Sequence, residues 1–179
     1  NDQAHQSLTA RFADHGRTGP MQRGYMAFVW GVPGRQRGTV DAPIDRLPCV
    51  SYAPFRKPGE SPLVKGARAS VAQMDSDLAA LAPVTRCVRT YSVDQGLDEV
   101  PRLARKHGLR VLLGIWIGRN ATENDREIAR ALEVLRRDAD VIDAVVVGNE
   151  VLLRREQPVA GLRAYLDRVR SATSIPVTY

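Results

Sequence analysis

Residues 144 to 154 read AVVVGNEVLLR, a run of apolar strand formers that ends in a glycine, an amide and a carboxylic acid. Three consecutive valines are what a strand covered on both faces requires, since such strands lose the alternation of a half-exposed sheet. Asn149 and Glu150 therefore stand where a buried strand gives way to a loop, and their meaning depends on the kind of sheet around them.

Working outward from this strand, the same unit recurs in both directions. Upstream, LRVLLGIWIG (109–118) is a second nearly continuous apolar run, and ENDREIARALEVLRRDAD (123–140) after it has helical period, burying Ile128, Leu132 and Leu135. Asn124 and Glu127 stand at the spacing of a capping box, which predicts the helix start there. Before that, CVRTYSV (87–93) reads as a strand and LDEVPRLARKHG (97–108) as a helix. Pro101 falls in its first turn, where a missing N–H costs little, and Gly108 is placed to end it with His107 at its C-terminus.

Earlier still, CVSYAPF (49–55) has strand composition and leads through a Pro/Gly/Lys loop into SVAQMDSDLAALAPVTR (70–86). There Val71, Met74, Leu78 and Leu81 share a helical face behind Ser70 as N-cap. Downstream, Pro158 opens a helix carrying Val159, Leu162, Leu166 and Val169, and IPVTY (175–179) begins a fifth strand.

Five strands and four helices in strict alternation, at about thirty residues per unit, indicate a parallel sheet with right-handed crossovers. A doubly wound sheet normally carries a glycine-rich phosphate loop after an early strand, and neither GxGxxG nor GxxxxGK[ST] occurs. The remaining candidate is a partial (β/α)8 barrel over residues 46–179. Residues 1–45 sustain neither period and read as an irregular tail or linker. In a barrel the carboxyl ends of the strands carry the chemistry. Here they present Ser51, Tyr52, Arg89, Tyr91, Trp116, Asn149, Glu150 and Tyr179, a mixture of hydrogen-bonding side chains and aromatic faces suited to sugars.

Composition narrows the classes. A chain of 179 residues with 44% hydrophobic and 26% charged residues is globular in character. The net charge of +6 comes mostly from arginine. These arginines alternate with acids and lack interleaved aromatics, so nucleic acid is not an expected partner. No segment has the length of a membrane span, and no His or Cys stands at metal-ligand spacing, so neither metal nor other cofactor is expected. Cys49 and Cys87 each precede an apolar run; they could bridge in an oxidising compartment if those runs are neighbours, or remain buried thiols.

The words RTYS, GIWIG, VVVGNEV and PVTY, in that order and spacing, resemble the bacterial branch of glycoside hydrolase family 17, the β-1,3-glucanase and β-glucan transglycosylase family. The likeness runs from Leu47 to Tyr179. It implies a retaining mechanism on a (β/α)8 barrel, with an Asn-Glu pair ending strand four and a nucleophilic Glu ending strand seven. Glu150 then matches the acid/base and Asn149 the preceding amide. Tyr52, Arg89, Tyr91, Trp116 and Tyr179 line a cleft for a β-glucan, and the cell envelope is the implied place of action.

Val145 to Val147 offer an apolar wall that would keep the acid protonated. Such barrels take about 250 residues and eight strands. The chain is therefore expected to be the N-terminal part of a longer protein and, alone, to have little activity on laminari-oligosaccharides. A non-catalytic half-barrel that binds glucan or a partner is the alternative.

Overall fold

The computed structural model describes residues 46–55, 64 and 66–179. The reading of residues 1–45 as a tail, and most of the loop before the first helix, lie outside the described residues. Nine elements follow in order: β1 (Val50–Ser51), α1 (Val71–Leu81), β2 (Cys87–Arg89), α2 (Val100–Lys106), β3 (Arg110–Ile115), α3 (Ala121–Asp138), β4 (Ile142–Val147), α4 (Val159–Ala172) and β5 (Val177–Thr178). Single 3-10 turns precede α2 and β4.

The five strands form one sheet in the order β1-β2-β3-β4-β5, every pair parallel. This sequential order distinguishes the fold from a doubly wound sheet, where the order reverses at a switch point and helices cover both faces. Here the helices belong to one face, and the other is the concave interior of a (β/α)8 arc.

Exposure along the strands shows the two faces. Val88, Val111, Leu113, Ile115, Val145 and Val147 are fully buried, joined in the core by Met74 and Leu78 of α1, Leu103 of α2, Ile128 and Val134 of α3, and Leu162 and Val169 of α4. Each such side chain contributes roughly 1.5–3 kcal/mol on burial. Arg89, Leu112, Ala144 and Val146, on the opposite parity, are half-buried. The valine wall expected beside Glu150 thus divides: Val145 and Val147 face the helices, and Val146 alone faces the concave side.

Local signals placed most helix ends. Ser70 caps α1 by accepting from the Gln73 N–H, and Pro101 sits in the first turn of α2. Gly108 ends α2 at φ 68, the left-handed conformation glycine tolerates. The face assigned to α1 is correct at Met74 and Leu78 but loosens at its ends, where Val71 is exposed. The capping box is a correction: the N-cap of α3 is Asn120, whose side chain accepts from the Glu123 N–H. Asn124 and Glu127 are instead buried inside the helix's first turns and used in tertiary contacts.

The sulfurs of Cys49 and Cys87 are bonded, resolving the alternative left open by the sequence. The register explains the proximity: Val50 pairs with Val88, so the preceding residues stand side by side, with Cα atoms 4.3 Å apart.

Candidate active site

The carboxyl ends of β2, β3 and β4 converge on Asn149 and Glu150. Gly148 makes this possible. At φ 84 it turns the chain out of β4, and a Cβ there would stand 2.6 Å from Val151 Cγ2, so no other residue fits without displacement. Glu150 follows at φ 53, also left-handed. Hydrogen bonds from the Arg154 N–H to the Glu150 carbonyl, and from the Glu156 N–H to that of Val151, close the following turn.

Around this turn the side chains form linked contacts. Arg89 donates through Nη2 to Asn149 Oδ1 at 3.2 Å and stacks its guanidinium 4.8 Å from the Tyr91 ring centre. The Tyr91 hydroxyl lies 2.8 Å from Ser51 Oγ. On the other side Arg154 approaches Glu150 at 3.6 Å, pairs with Glu156 at 2.8 Å and lies over the Trp116 ring at 4.7 Å. Tyr179 accepts from the Leu152 N–H, which brings β5 onto the same turn. The Glu150 side chain is 61% exposed, so its carboxylate is presented to solvent at the rim.

Of the eight strand-end residues picked out from sequence, seven are therefore brought together: Ser51, Arg89, Tyr91, Trp116, Asn149, Glu150 and Tyr179. Tyr52 is not. It follows Ser51, and successive residues in a strand point to opposite faces. Ser51 takes the concave side, whereas Tyr52 is buried among the helices with its hydroxyl donating to Asp77 of α1 at 3.0 Å.

Two residues that hold the site in place were missed as such. Glu127 of α3 accepts, on one carboxylate oxygen, from the Ser92 hydroxyl at 2.7 Å, the Val93 N–H at 2.8 Å and the Trp116 N–H at 3.1 Å. It ties the ends of β2 and β3 together directly beneath Tyr91 and Trp116. Burial pushes its carboxyl above the usual carboxylate range, while these three donors pull the other way. Asn124 clasps Gly118 by both its oxygen and its amide. Gly114 carries a further constraint, because a Cβ there would stand 2.2 Å from the Thr90 carbonyl oxygen, so the chain leading to Tyr91 packs directly on β3.

A family model for the BtgE/BtgC glycoside hydrolase domain matches residues 49–178. The chain belongs to this family. Among curated proteins it is similar to the probable glucan endo-1,3-beta-glucosidase btgC of Aspergillus flavus, 32% identical over 136 residues, which are 70% of this chain and 19% of that protein. The btgC protein of Emericella nidulans is 30% identical over 105 residues, 52% of this chain and 16% of its own length. The chain thus spans about a fifth of the length of these fungal relatives.

Among solved structures, the family 17 β-1,3-glucanosyltransferase of Rhizomucor miehei superposes with a TM-score of 0.62 at 24% identity, over 74% of this chain and 48% of that one. An endo-laminarinase from Formosa superposes at 0.58 and 19% identity, over 70% and 37% respectively. These structures share the BtgE/BtgC domain's fold, the five-stranded arc of a (β/α)8 barrel.

Proposed function

We propose that this BtgE/BtgC domain forms part of a retaining glycosidase or transglycosylase acting on β-1,3-linked glucans, with Glu150 as general acid/base. The observation that carries the reading is the turn at Gly148, which delivers Asn149 and Glu150 from the end of β4 to the concave rim beside Arg89, Tyr91 and Trp116.

The chemistry asks for these groups. A glycosidic oxygen leaves only if protonated as its bond breaks, and Glu150, accessible at the rim, supplies that proton. It then takes one from the incoming water or sugar hydroxyl. The bond to the anomeric carbon is made meanwhile by a second carboxylate about 5 Å away, the separation that retention demands. Family resemblance puts that nucleophile at the end of a seventh strand, and no residue of this chain is assigned to it. Asp94 and Glu156 are already engaged by Arg130 and Arg154. Asn149, with its oxygen held by Arg89, keeps its NH2 to donate to the sugar 2-hydroxyl, a bond that strengthens as charge develops on the ring. Tyr91 and Tyr179 supply aromatic faces and hydroxyls to the same cleft; Tyr52, turned to the helices, does not enter it.

The Cys49–Cys87 bond favours an oxidising compartment, in keeping with action at the cell envelope. No helix among the described residues is long and apolar enough to cross a membrane.

The test uses the complete protein that contains this domain. Glu150→Gln should lower kcat on laminari-oligosaccharides by roughly 10²- to 10⁴-fold, with glucan binding retained. Undiminished turnover would remove the assignment; binding with no turnover in the unaltered protein would favour a non-catalytic glucan module. Product analysis at high oligosaccharide concentration separates transfer from hydrolysis.

A further inference from the structure

Arg154 is the cation nearest the proposed acid, yet it is held mainly by other groups. Its Nη2 donates to Glu156 at 2.8 Å, and its guanidinium carbon lies over the Trp116 ring, 4.7 Å from its centre. Its Nη1 is 3.6 Å from Glu150. The main chain adds a fourth restraint, since the Arg154 N–H closes the turn onto the Glu150 carbonyl. The Arg154 carbonyl in turn accepts from Arg119. Glu156, with a side chain only 17% exposed, keeps the guanidinium charged.

A planar guanidinium clamped on one edge by a carboxylate and on one face by an indole has almost no freedom left. Glu150 is the opposite case. It is exposed, it stands on a left-handed residue, and its flexible side chain has Arg154 as its ion-pair partner.

Taking Glu150 as the acid/base, we infer that Arg154 is the positioning residue for that acid, preorganised by Glu156 and Trp116 so that the Glu150 carboxyl group is held in one orientation toward the glycosidic oxygen. Trp116 thereby acquires a different role from a sugar-stacking platform: the ring face covered by Arg154 is the seat of this cation. The spacing is local, because one turn after Gly148 returns position 154 over position 150 and brings 156 alongside. Trp116 reaches the same place from β3, where Glu127 holds its backbone N–H.

A group that acts only by orienting an acid matters in proportion to how much the leaving group needs the proton. In the complete protein, kcat/KM is compared on two substrates: a laminari-oligosaccharide, whose sugar leaving group requires protonation, and a dinitrophenyl β-laminaribioside, whose phenolate leaves without it. Arg154→Met, close in length but uncharged, is expected to lose roughly tenfold or more on the oligosaccharide and a much smaller factor on the aryl substrate. Arg154→Lys keeps the charge without the planar fork and should recover part of the loss. Glu156→Gln, which loosens Arg154 while leaving it and Glu150 in place, should show the same substrate dependence to a smaller degree; it also serves if Arg154→Met fails to fold.

Equal losses on both substrates, or no loss on the oligosaccharide, would overturn the inference. Glu150→Gln run in parallel separates this from failure of the underlying reading. If Glu150→Gln is as active as the unaltered protein on the oligosaccharide, the acid itself is misassigned. If it is crippled there while Arg154→Met is not, only the role of Arg154 falls.

Discussion

The two ends of the sheet use the same residue types in opposite ways. At the amino end, Arg105, Arg137 and Arg110 meet aspartates. Arg105 bonds Asp138 at 2.8 Å and Asp140 at 2.6 Å, Arg137 holds the other oxygen of Asp138, and Arg110 donates to Asp143. The Cys49–Cys87 bond staples β1 to β2 at that same end. At the carboxyl end, Arg89 and Arg154 lie against aromatic rings, Arg89 bonding an amide and Arg154 a glutamate besides, and the Nε of each is buried with no hydrogen-bond partner. Ion pairs among aspartates fix the amino end, whereas at the carboxyl end cations seated on rings stand beside Asn149 and the exposed Glu150 carboxylate. The division is that of barrels generally, where one end serves stability and the other chemistry.

The comparison can be broken in several places. The largest loss of stability is expected from the amino end: Cys87→Ser with Cys49→Ser opens a link across 38 residues. The chain-entropy account puts that at about 3–4 kcal/mol, readable as a lower denaturant midpoint. A midpoint that does not move would show that this end needs no staple.

Glu127→Ala should come next. It strands the Ser92, Val93 and Trp116 donors near the carboxyl end, at a cost of roughly 2–3 kcal/mol in the same measurement. Unlike the cysteine change, it should also weaken glucan binding, because Tyr91 adjoins the segment that Glu127 holds. Gly148→Ala is expected to cost about 1–3 kcal/mol through its left-handed backbone and the contact with Val151. Its effect on activity should exceed its effect on stability, and the reverse would detach this turn from the site.

The smallest effect has opposite signs at the two ends. Arg105 beside Asp140 holds that carboxyl below its ordinary value of 3.8, so its contribution is complete above that pH and is lost as pH falls through the lowered value. Burial raises the Glu127 carboxyl above its ordinary 4.5. The stability linked to its protonated form is therefore complete below 4.5 and is lost as pH rises through the raised value. The Tm advantage of the unaltered protein over Asp140→Asn should grow as pH rises from about 3 to 5. Relative to Glu127→Gln, its Tm should fall as pH rises above about 4.5. Parallel trends would contradict one of the two shifts.

What was legible in the sequence was local or periodic. Ser70, Pro101 and Gly108 act through the backbone of their own helix, so helix limits could be placed from them alone. The capping-box spacing of Asn124 and Glu127 misled for the complementary reason. The same side chains that could cap a helix are used at longer range, toward Gly118 from Asn124 and toward β2 and β3 from Glu127. Tyr52 and Ser51 show the limit most sharply, since a one-residue difference in parity decides which enters the cleft, and a strand of two residues carries no pattern from which to read it.

The sequence by itself determined the alternation of strands and helices and the word that ends β4, because hydrophobic period and turn chemistry act between near neighbours. Tertiary structure decided that the sheet is sequential, that Cys49 meets Cys87, and that Arg89 and Arg154 flank Asn149 and Glu150. Those facts depend on register between strands about thirty residues apart in the chain, and register is set by packing across the whole sheet.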